Sequence, residues 1–266
     1  MSNLNAEQTA VVESTAKQIL CIAGAGAGKT STLVARIRHL VDAGADPSKF
    51  VVITYTNAAA KELKQRLDGI AFEPSAINSS THLRQSYLPG YTGTLHGFLL
   101  RLLGRHHALV NLPEHLSVID DEQREPMCES IMADMGVKSS LKKVMPFVDD
   151  NPLAFLSASG SKTKEGLVAR EYHRRLRQAG LLDFNTILFY GLELVSRLDA
   201  GTFGYTHVMW DEGQDGSDID FAILEAMPCE NKMLVGDNDQ QIFSFRNTDG
   251  KPSHKFTKLA LDATPG

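Results

Sequence analysis

Cysteine is scarce in this sequence and scattered. Its only three cysteines, Cys21, Cys128 and Cys229, include no C-x-x-C pair. That excludes a disulfide framework and a cysteine-based zinc site, and it points to a reducing compartment. The nine histidines show no metal-ligand spacing. Long hydrophobic runs are also missing: nothing approaches the ~20 apolar residues that span a bilayer. The opening segment MSNLNAEQTAVVES has neither the basic nor the apolar region of a secretory signal. A cytoplasmic location without membrane attachment is therefore expected. Charge of one sign is lacking as well, since a net charge of −5 supplies no global basic field for nucleic acid. One local basic segment, Lys162 to Arg177 with Lys164, Arg170, Arg174 and Arg175, reads on its own as a solvated helix face. There is no internal repeat and no extended low-complexity tract.

What remains is an ordinary globular composition, 42% hydrophobic and 22% charged over 266 residues, enough for one large or two smaller domains. Within it, AGAGAGKTST (residues 23–32) stands out. The apolar run Ile19–Ala23 precedes it, as a buried parallel strand would. Leu33, Val34, Ile37, Leu40 and Val41 follow at helical spacing, and Gly44 and Pro47 mark the helix end. Strand, glycine turn and helix are the setting that a phosphate loop requires. Gly24, Gly26 and Gly28 free the backbone to aim amides at phosphate oxygens, and the helix N-terminus adds its dipole. Lys29 would reach the β- and γ-phosphates, and the Thr30 hydroxyl would hold Mg²⁺. Ala23 stands where the strict pattern has its first glycine, a mild departure because the amide donors come later.

Further strands read at Phe50–Thr54, His207–Trp210 and Lys232–Gly236. Helical patterns follow Leu63 and Leu67, run from Gly97 to Leu109, start at Asp120 or Asp121, and cover about 166–179 and 184–198. Residues 68–93 read as a long loop, and 138–165 carry no clear pattern. Interleaved strands and helices predict a parallel α/β sheet. The helical middle, about 110–180, reads as an inserted subdomain between core segments 1–109 and 181–266.

A phosphate loop needs carboxylates. Thr206–Asp215, THVMWDEGQD, is an apolar strand ending in adjacent acids. Asp211 can reach the Mg²⁺ shell, and Glu212 can act as general base on the attacking water. Met233–Asn247 is a further strand running into polar residues, with Asp237, Asp239 and Gln240 where ligand groups gather in a doubly wound sheet. Gln240 is a candidate reporter of the γ-phosphate and Arg246 a candidate phosphate contact. Phe243 and Phe245 suit either base stacking or core packing.

Taken together, these segments resemble the N-terminal part of superfamily 1 DNA helicases of the UvrD/Rep/PcrA type, in order from residue 4 to about 247. LNAEQ (Leu4–Gln8) is similar to the family's Q motif, which implies that Gln8 reads adenine. The family loop commonly begins with alanine, so the implied nucleotide contacts are Gln8 with Ala23, Gly24, Ala25, Gly26, Ala27, Gly28, Lys29, Thr30 and Ser31. ITYTNAAAKEL (Ile53–Leu63) resembles motif Ia, which would turn Tyr55, Thr56 and Asn57 to single-stranded DNA. GTLHGF (Gly93–Phe98) resembles motif Ib, which would place Thr94 and His96 near the DNA backbone. LLDF (Leu181–Phe184) resembles the short Asp-Phe segment that precedes motif II. WDEGQD resembles the D-E-x-Q-D box of motif II, where Gln214 would couple nucleotide to DNA; Trp210 and Gly213 depart from the usual residues there. VGDNDQQIFSFR resembles motif III, which implies Gln240 at the γ-phosphate and Phe243 and Phe245 against bases.

The resemblance implies a RecA-like P-loop NTPase fold and an Mg²⁺-dependent ATPase that moves on single-stranded DNA, 3′→5′, with roles in repair among those open to it. The expected catalytic set is Lys29, Asp211, Glu212, Gln240 and Arg246. No match to motifs IV, V and VI occurs before Gly266, so a second RecA-like domain, in cis or in trans, is expected as partner. Two other functions fit the same motifs: a nucleotide-dependent DNA-binding or regulatory module that does not unwind, and an ATPase acting on protein partners. Oligomeric state is not legible.

Overall fold

A computed structural model describes residues 4–24, 26–71, 86–151 and 162–237. It divides into two compact units, residues 1–98 with 199–266, and residues 99–198. The strands in chain order are β1 (Gln18–Ile22), β2 (Phe50–Ile53), β3 (Tyr91–Gly93), β4 (Ser117–Val118), β5 (Leu181–Leu182), β6 (His207–Trp210) and β7 (Asn231–Gly236).

The first unit is built on a sheet of order β1-β7-β6-β2-β3 with every pairing parallel. Phe50–Ile53 is buried at every position because β2 lies inside the sheet, where both faces are covered. The helix Lys29–Asp42 lays Leu33, Ile37 and Val41 on Val52, Met209 and Val235, and Leu63 and Leu67 of the helix Asn57–Ala71 join the same core. Two expectations change. β1, expected to be buried, is an edge strand among the described residues and is half exposed, because β7 pairs with it on one side only. Residues 91–93, expected in a loop, form β3 beside β2; three residues holding a threonine and a glycine carry too little periodicity to read. The approach to β3 needs a glycine at position 90, where a Cβ would lie 1.9 Å from the Ser48 carbonyl oxygen.

In a parallel sheet all strands end at the same edge. Across that edge, in order, the chain leaves β1 at Ala23, β7 at Asp237, β6 at Asp211, β2 at Thr54 and β3 at Thr94. This edge is where α/β sheets gather ligand groups.

The second unit packs the helices Asp121–Asp134, Leu141–Val148 and Lys164–Ala179 around Cys128, Ile131, Val144, Val168, Tyr172 and Leu176. It runs wider than the segment 110–180 at both ends and includes the helix Phe184–Val195. Asp120 caps its helix through a capping box with Gln123. Leu141–Val148 escaped sequence reading because it is eight residues long and contains Pro146. Within the basic segment two arginines are neutralised locally: Arg174 and Arg175 both bind Glu171, whose carboxyl is held down to about 2 by Arg174 first. Arg175 also pairs with Asp134 at 2.8 Å. No described helix is long and apolar enough to cross a membrane.

Asp183 of the LLDF segment is wholly buried in this unit. Its carboxylate caps the helix Phe184–Val195 by accepting from Thr186 N at 2.7 Å, and it accepts from Tyr172 Oη at 2.8 Å. Arg124 Nε lies 3.3 Å from it, while the rest of that guanidinium binds Asp121 and Asp149. Breaking a buried pair leaves an uncompensated charge, at a cost of about 3 kcal/mol. Arg124→Met is therefore expected to lower the unfolding free energy by about that amount in urea titration; a change below about 1 kcal/mol would show that the network contributes little.

Candidate nucleotide site

The loop after β1 takes its shape from its glycines. Gly26 and Gly28 have φ of +73° and +79°, and Gly28 is the N-cap of Lys29–Asp42. The first backbone bond of that helix runs from Thr32 N to Gly28 O at 2.9 Å. The amides of Lys29, Thr30 and Ser31 therefore point out of the helix end, where an anion is favoured. Ala23 departs from expectation: its N–H donates to Gly236 O at 3.0 Å, extending the β1–β7 ladder, so it is committed to the sheet. The Ala27 N–H likewise closes the turn onto Gly24 O at 3.2 Å. Ala25 lies outside the described residues.

Lys29 is buried, 8% exposed, with its ammonium 3.5 Å from Glu212 Oε2 and 3.6 Å from Asp237 Oδ2. Thr30 Oγ1 donates to Asp211 Oδ2 at 3.1 Å, and the other Asp211 oxygen accepts from the Glu212 amide at 3.1 Å. Burial, reinforced by the neighbouring Glu212 charge, pushes the Asp211 carboxyl above its ordinary range despite the opposing Thr30 hydrogen bond and Lys29. Gln214 binds both strand ends: its Nε2 donates to Glu212 Oε2 at 2.8 Å and its Oε1 accepts from Asp237 N at 2.9 Å. Glu212 itself has φ +58°, a left-handed backbone that costs a non-glycine residue about 1 kcal/mol. Strain of this kind persists where surrounding contacts over-determine it, and here Lys29 and Gln214 hold the side chain.

Gln8 reaches this loop from the helix Ala6–Glu13. Its Oε1 accepts from Asn5 N at 2.9 Å, completing a capping box, and its Nε2 donates to Ala27 O at 2.8 Å. Ser31 is half-buried, with its hydroxyl oxygen 3.5 Å from Arg66 Nη1. Asp237, expected only as one of the ligand groups at a strand end, lies against the Lys29 ammonium, a partner that its position at the end of β7 does not by itself reveal.

The segments expected to face DNA follow the other two strands. β2 and β3 are paired, and Thr54 N donates to Gly93 O at 2.9 Å, so Tyr55–Asn57 and Thr94–His96 leave the sheet side by side. Both threonines also cap helices. Thr56 Oγ1 accepts from Ala59 N at 3.1 Å, and Thr94 Oγ1 accepts from Gly97 N at 3.2 Å. Thr56 and Asn57 are exposed, and Tyr55, Thr94 and His96 are half-buried. Gln240, Phe243, Phe245 and Arg246 lie outside the described residues.

Both departures in the acidic segment have a packing reason. Trp210 is buried and stacks on Phe221 with ring centroids 5.7 Å apart. At Gly213 a Cβ would come within 2.3 Å of Leu234 Cδ1, so Leu234 fills the place of a side chain. Overpacking of this kind costs about 1–3 kcal/mol. Gly213→Ala is expected to destabilise by that amount and Leu234→Ala to offset part of it, so that a double-mutant cycle in urea shows coupling. Strict additivity would contradict the packing account.

Residues 4–260 match the UvrD/REP helicase N-terminal domain. The ATP-dependent DNA helicase PcrA of Staphylococcus epidermidis is 26% identical over 269 residues, covering 94% of this chain and 35% of its own length. A DNA helicase II homologue of Mycoplasma capricolum is 27% identical over 268 residues, covering 91% and 35%. PcrA of Staphylococcus aureus is 25% identical over 269 residues, covering 94% and 35%. The chain thus spans about a third of the length of these curated relatives. With the phosphate loop, the acidic strand end and the two flanking segments on one edge of a parallel sheet, and a match over nearly its whole length, the chain belongs to the UvrD/REP helicase N-terminal domain family.

Proposed function

We propose that this chain is the ATP-binding and ATP-hydrolysing part of a DNA helicase, and that single-stranded DNA on the β2–β3 side controls turnover on the β1–β7–β6 side. The observation that carries this reading is the meeting of Lys29 and Thr30 with Asp211, Glu212 and Asp237 at one sheet edge. The first-turn amides of the helix Lys29–Asp42 receive phosphate oxygens. The Lys29 ammonium exchanges its carboxylate neighbours for the β- and γ-phosphates. Released from Lys29 and still oriented by Gln214, the Glu212 carboxylate accepts the proton of the attacking water.

The donor set fits Mg²⁺. A buried carboxylate and a hydroxyl oxygen stand 3.1 Å apart, and the carboxylates around Lys29 outnumber its single positive charge. Thr30 and Asp211 would hold the ion, which when bound would neutralise charge on the transferring phosphoryl oxygens. On the DNA side, Tyr55, Thr56 and Asn57 contact bases and backbone, and Thr94 and His96 the backbone. Gln214, bonded to both Glu212 and the Asp237 amide, links the acidic strand end to the segment that carries Gln240.

In this reading residues 99–198 are a helical subdomain inserted into a RecA-like core. A second RecA-like domain, in cis or in trans, supplies the arginines that close the ATP site; family resemblance implies 3′→5′ movement, and the scattered cysteines suit a reducing, cytoplasmic setting.

The test is ATP turnover with and without single-stranded DNA. Glu212→Gln is expected to lower kcat at least 100-fold, the scale of a lost general base. Tyr55→Ala is expected to abolish stimulation by DNA while leaving ATP affinity intact. Turnover that single-stranded DNA does not raise in the unaltered chain, and that Tyr55→Ala leaves unchanged, would turn the reading toward an ATPase of protein partners.

A further inference from the structure

Arg36, on the outer turns of the phosphate-loop helix, has no role in the site described above. It is only 5% exposed, yet among the described residues it makes no ion pair. Its Nη1 instead donates to three backbone carbonyls, Val11 O at 2.8 Å, Val12 O at 3.1 Å and Ser14 O at 3.0 Å. Burial lowers the affinity of this guanidinium for its proton, as expected where no carboxylate compensates it. Those carbonyls close the C-terminal end of the helix Ala6–Glu13, which has no basic residue of its own in its last turn. A buried cation at a helix C-terminus meets the negative end of the helix dipole and satisfies orphan carbonyls together.

The other end of the same eight-residue helix carries Gln8, whose amide donates to Ala27 O in the phosphate loop. Two sets of hydrogen bonds therefore tie the helix to the loop–helix unit, from Arg36 at its end and Gln8 at its start, beside the packing of Val11 against the core of Leu33, Ile37 and Val41. Eight residues form too few turns to be stable alone, and Val12 is the one residue this helix buries. The Arg36 clamp adds to the packing of Val11 and Val12 a polar anchor at the C-terminal end of this helix.

We infer that Arg36 is a positioning residue for nucleotide-base selection: by fixing the helix Ala6–Glu13 against the phosphate-loop helix, it sets where the Gln8 carboxamide meets the base. The inference rests on the reading of Gln8 as the base-facing residue. To face a base, Gln8 exchanges its bond to Ala27 O for bonds to the base edge while its helix stays in place. The phosphates are held by Lys29 and the first-turn amides, which do not touch the clamp. Loss of the clamp should therefore relax discrimination between bases and spare affinity for the triphosphate.

The experiment measures equilibrium binding of ATP, GTP, CTP and inorganic tripolyphosphate by titration calorimetry, in the unaltered chain and in Gln8→Ala, Arg36→Met and Arg36→Lys. Arg36→Met is expected to reduce the preference for ATP over GTP and CTP about tenfold with tripolyphosphate affinity unchanged. Arg36→Lys, which keeps the charge but not the guanidinium, is expected to fall between, and it serves as the readout should Arg36→Met not fold. A base preference lost in Gln8→Ala but intact in both Arg36 variants would overturn the role of Arg36. A preference intact in Gln8→Ala would overturn the reading of Gln8 itself. Equal loss of nucleotide and tripolyphosphate affinity in the Arg36 variants would reduce Arg36 to a stabiliser of the loop, also against the inference.

Discussion

The Lys29 ammonium lies between Glu212 and Asp237, at 3.5 and 3.6 Å, and three separate strands must end correctly for that to happen. β1 delivers the loop that carries Lys29, β6 delivers Glu212 and β7 delivers Asp237. Because the pairings β1–β7 and β7–β6 are parallel, the three strands end at the same edge, and one buried lysine can face both acids. A buried ammonium without such partners would be costly. The pair of carboxylates satisfies the Lys29 ammonium, which in the proposed function exchanges them for phosphate oxygens.

The same strand order separates the two tasks of the proposed motor. Nucleotide groups follow β1, β7 and β6, and the segments assigned to DNA follow β2 and β3. β6 and β2 are neighbours in register, with Ile53 opposite Trp210, and Asp211 N donates to Ile53 O at 2.9 Å. A shift of the chain after β2 would thus be felt directly at the acidic strand end. Gln214 extends that connection to β7 through its two hydrogen bonds. The route is short, and it consists of backbone ladder and one buried carboxamide.

Much of this was legible in the sequence because burial on both faces leaves an unambiguous apolar run. His207–Trp210 was placed to the residue, and Phe50–Ile53 to within one. The phosphate loop was legible for a different reason, since glycines followed by Lys-Thr between a strand and a helix serve few other chemistries. What escaped reading depends on three-dimensional closure. β3 is too short to show a period, and its membership in the sheet comes from pairing with β2. Asp237 gains its role only when β7 is placed beside β1. The Ala23 amide is drawn away from phosphate by the same pairing. The left-handed backbone of Glu212 has no signal in a glutamate, and the three carbonyls gathered by Arg36 have no residue type at all.

In the proposed function Thr30 and Asp211 form the metal-binding half of an ATP site whose other half is Lys29 and the loop amides. The most direct measurement is ATP affinity with and without Mg²⁺, in the unaltered chain, in Thr30→Val and in Asp211→Asn. Mg²⁺ is expected to tighten ATP binding in the unaltered chain, and either substitution to remove this gain while metal-free affinity is retained. An equal gain from Mg²⁺ in all three proteins would contradict it.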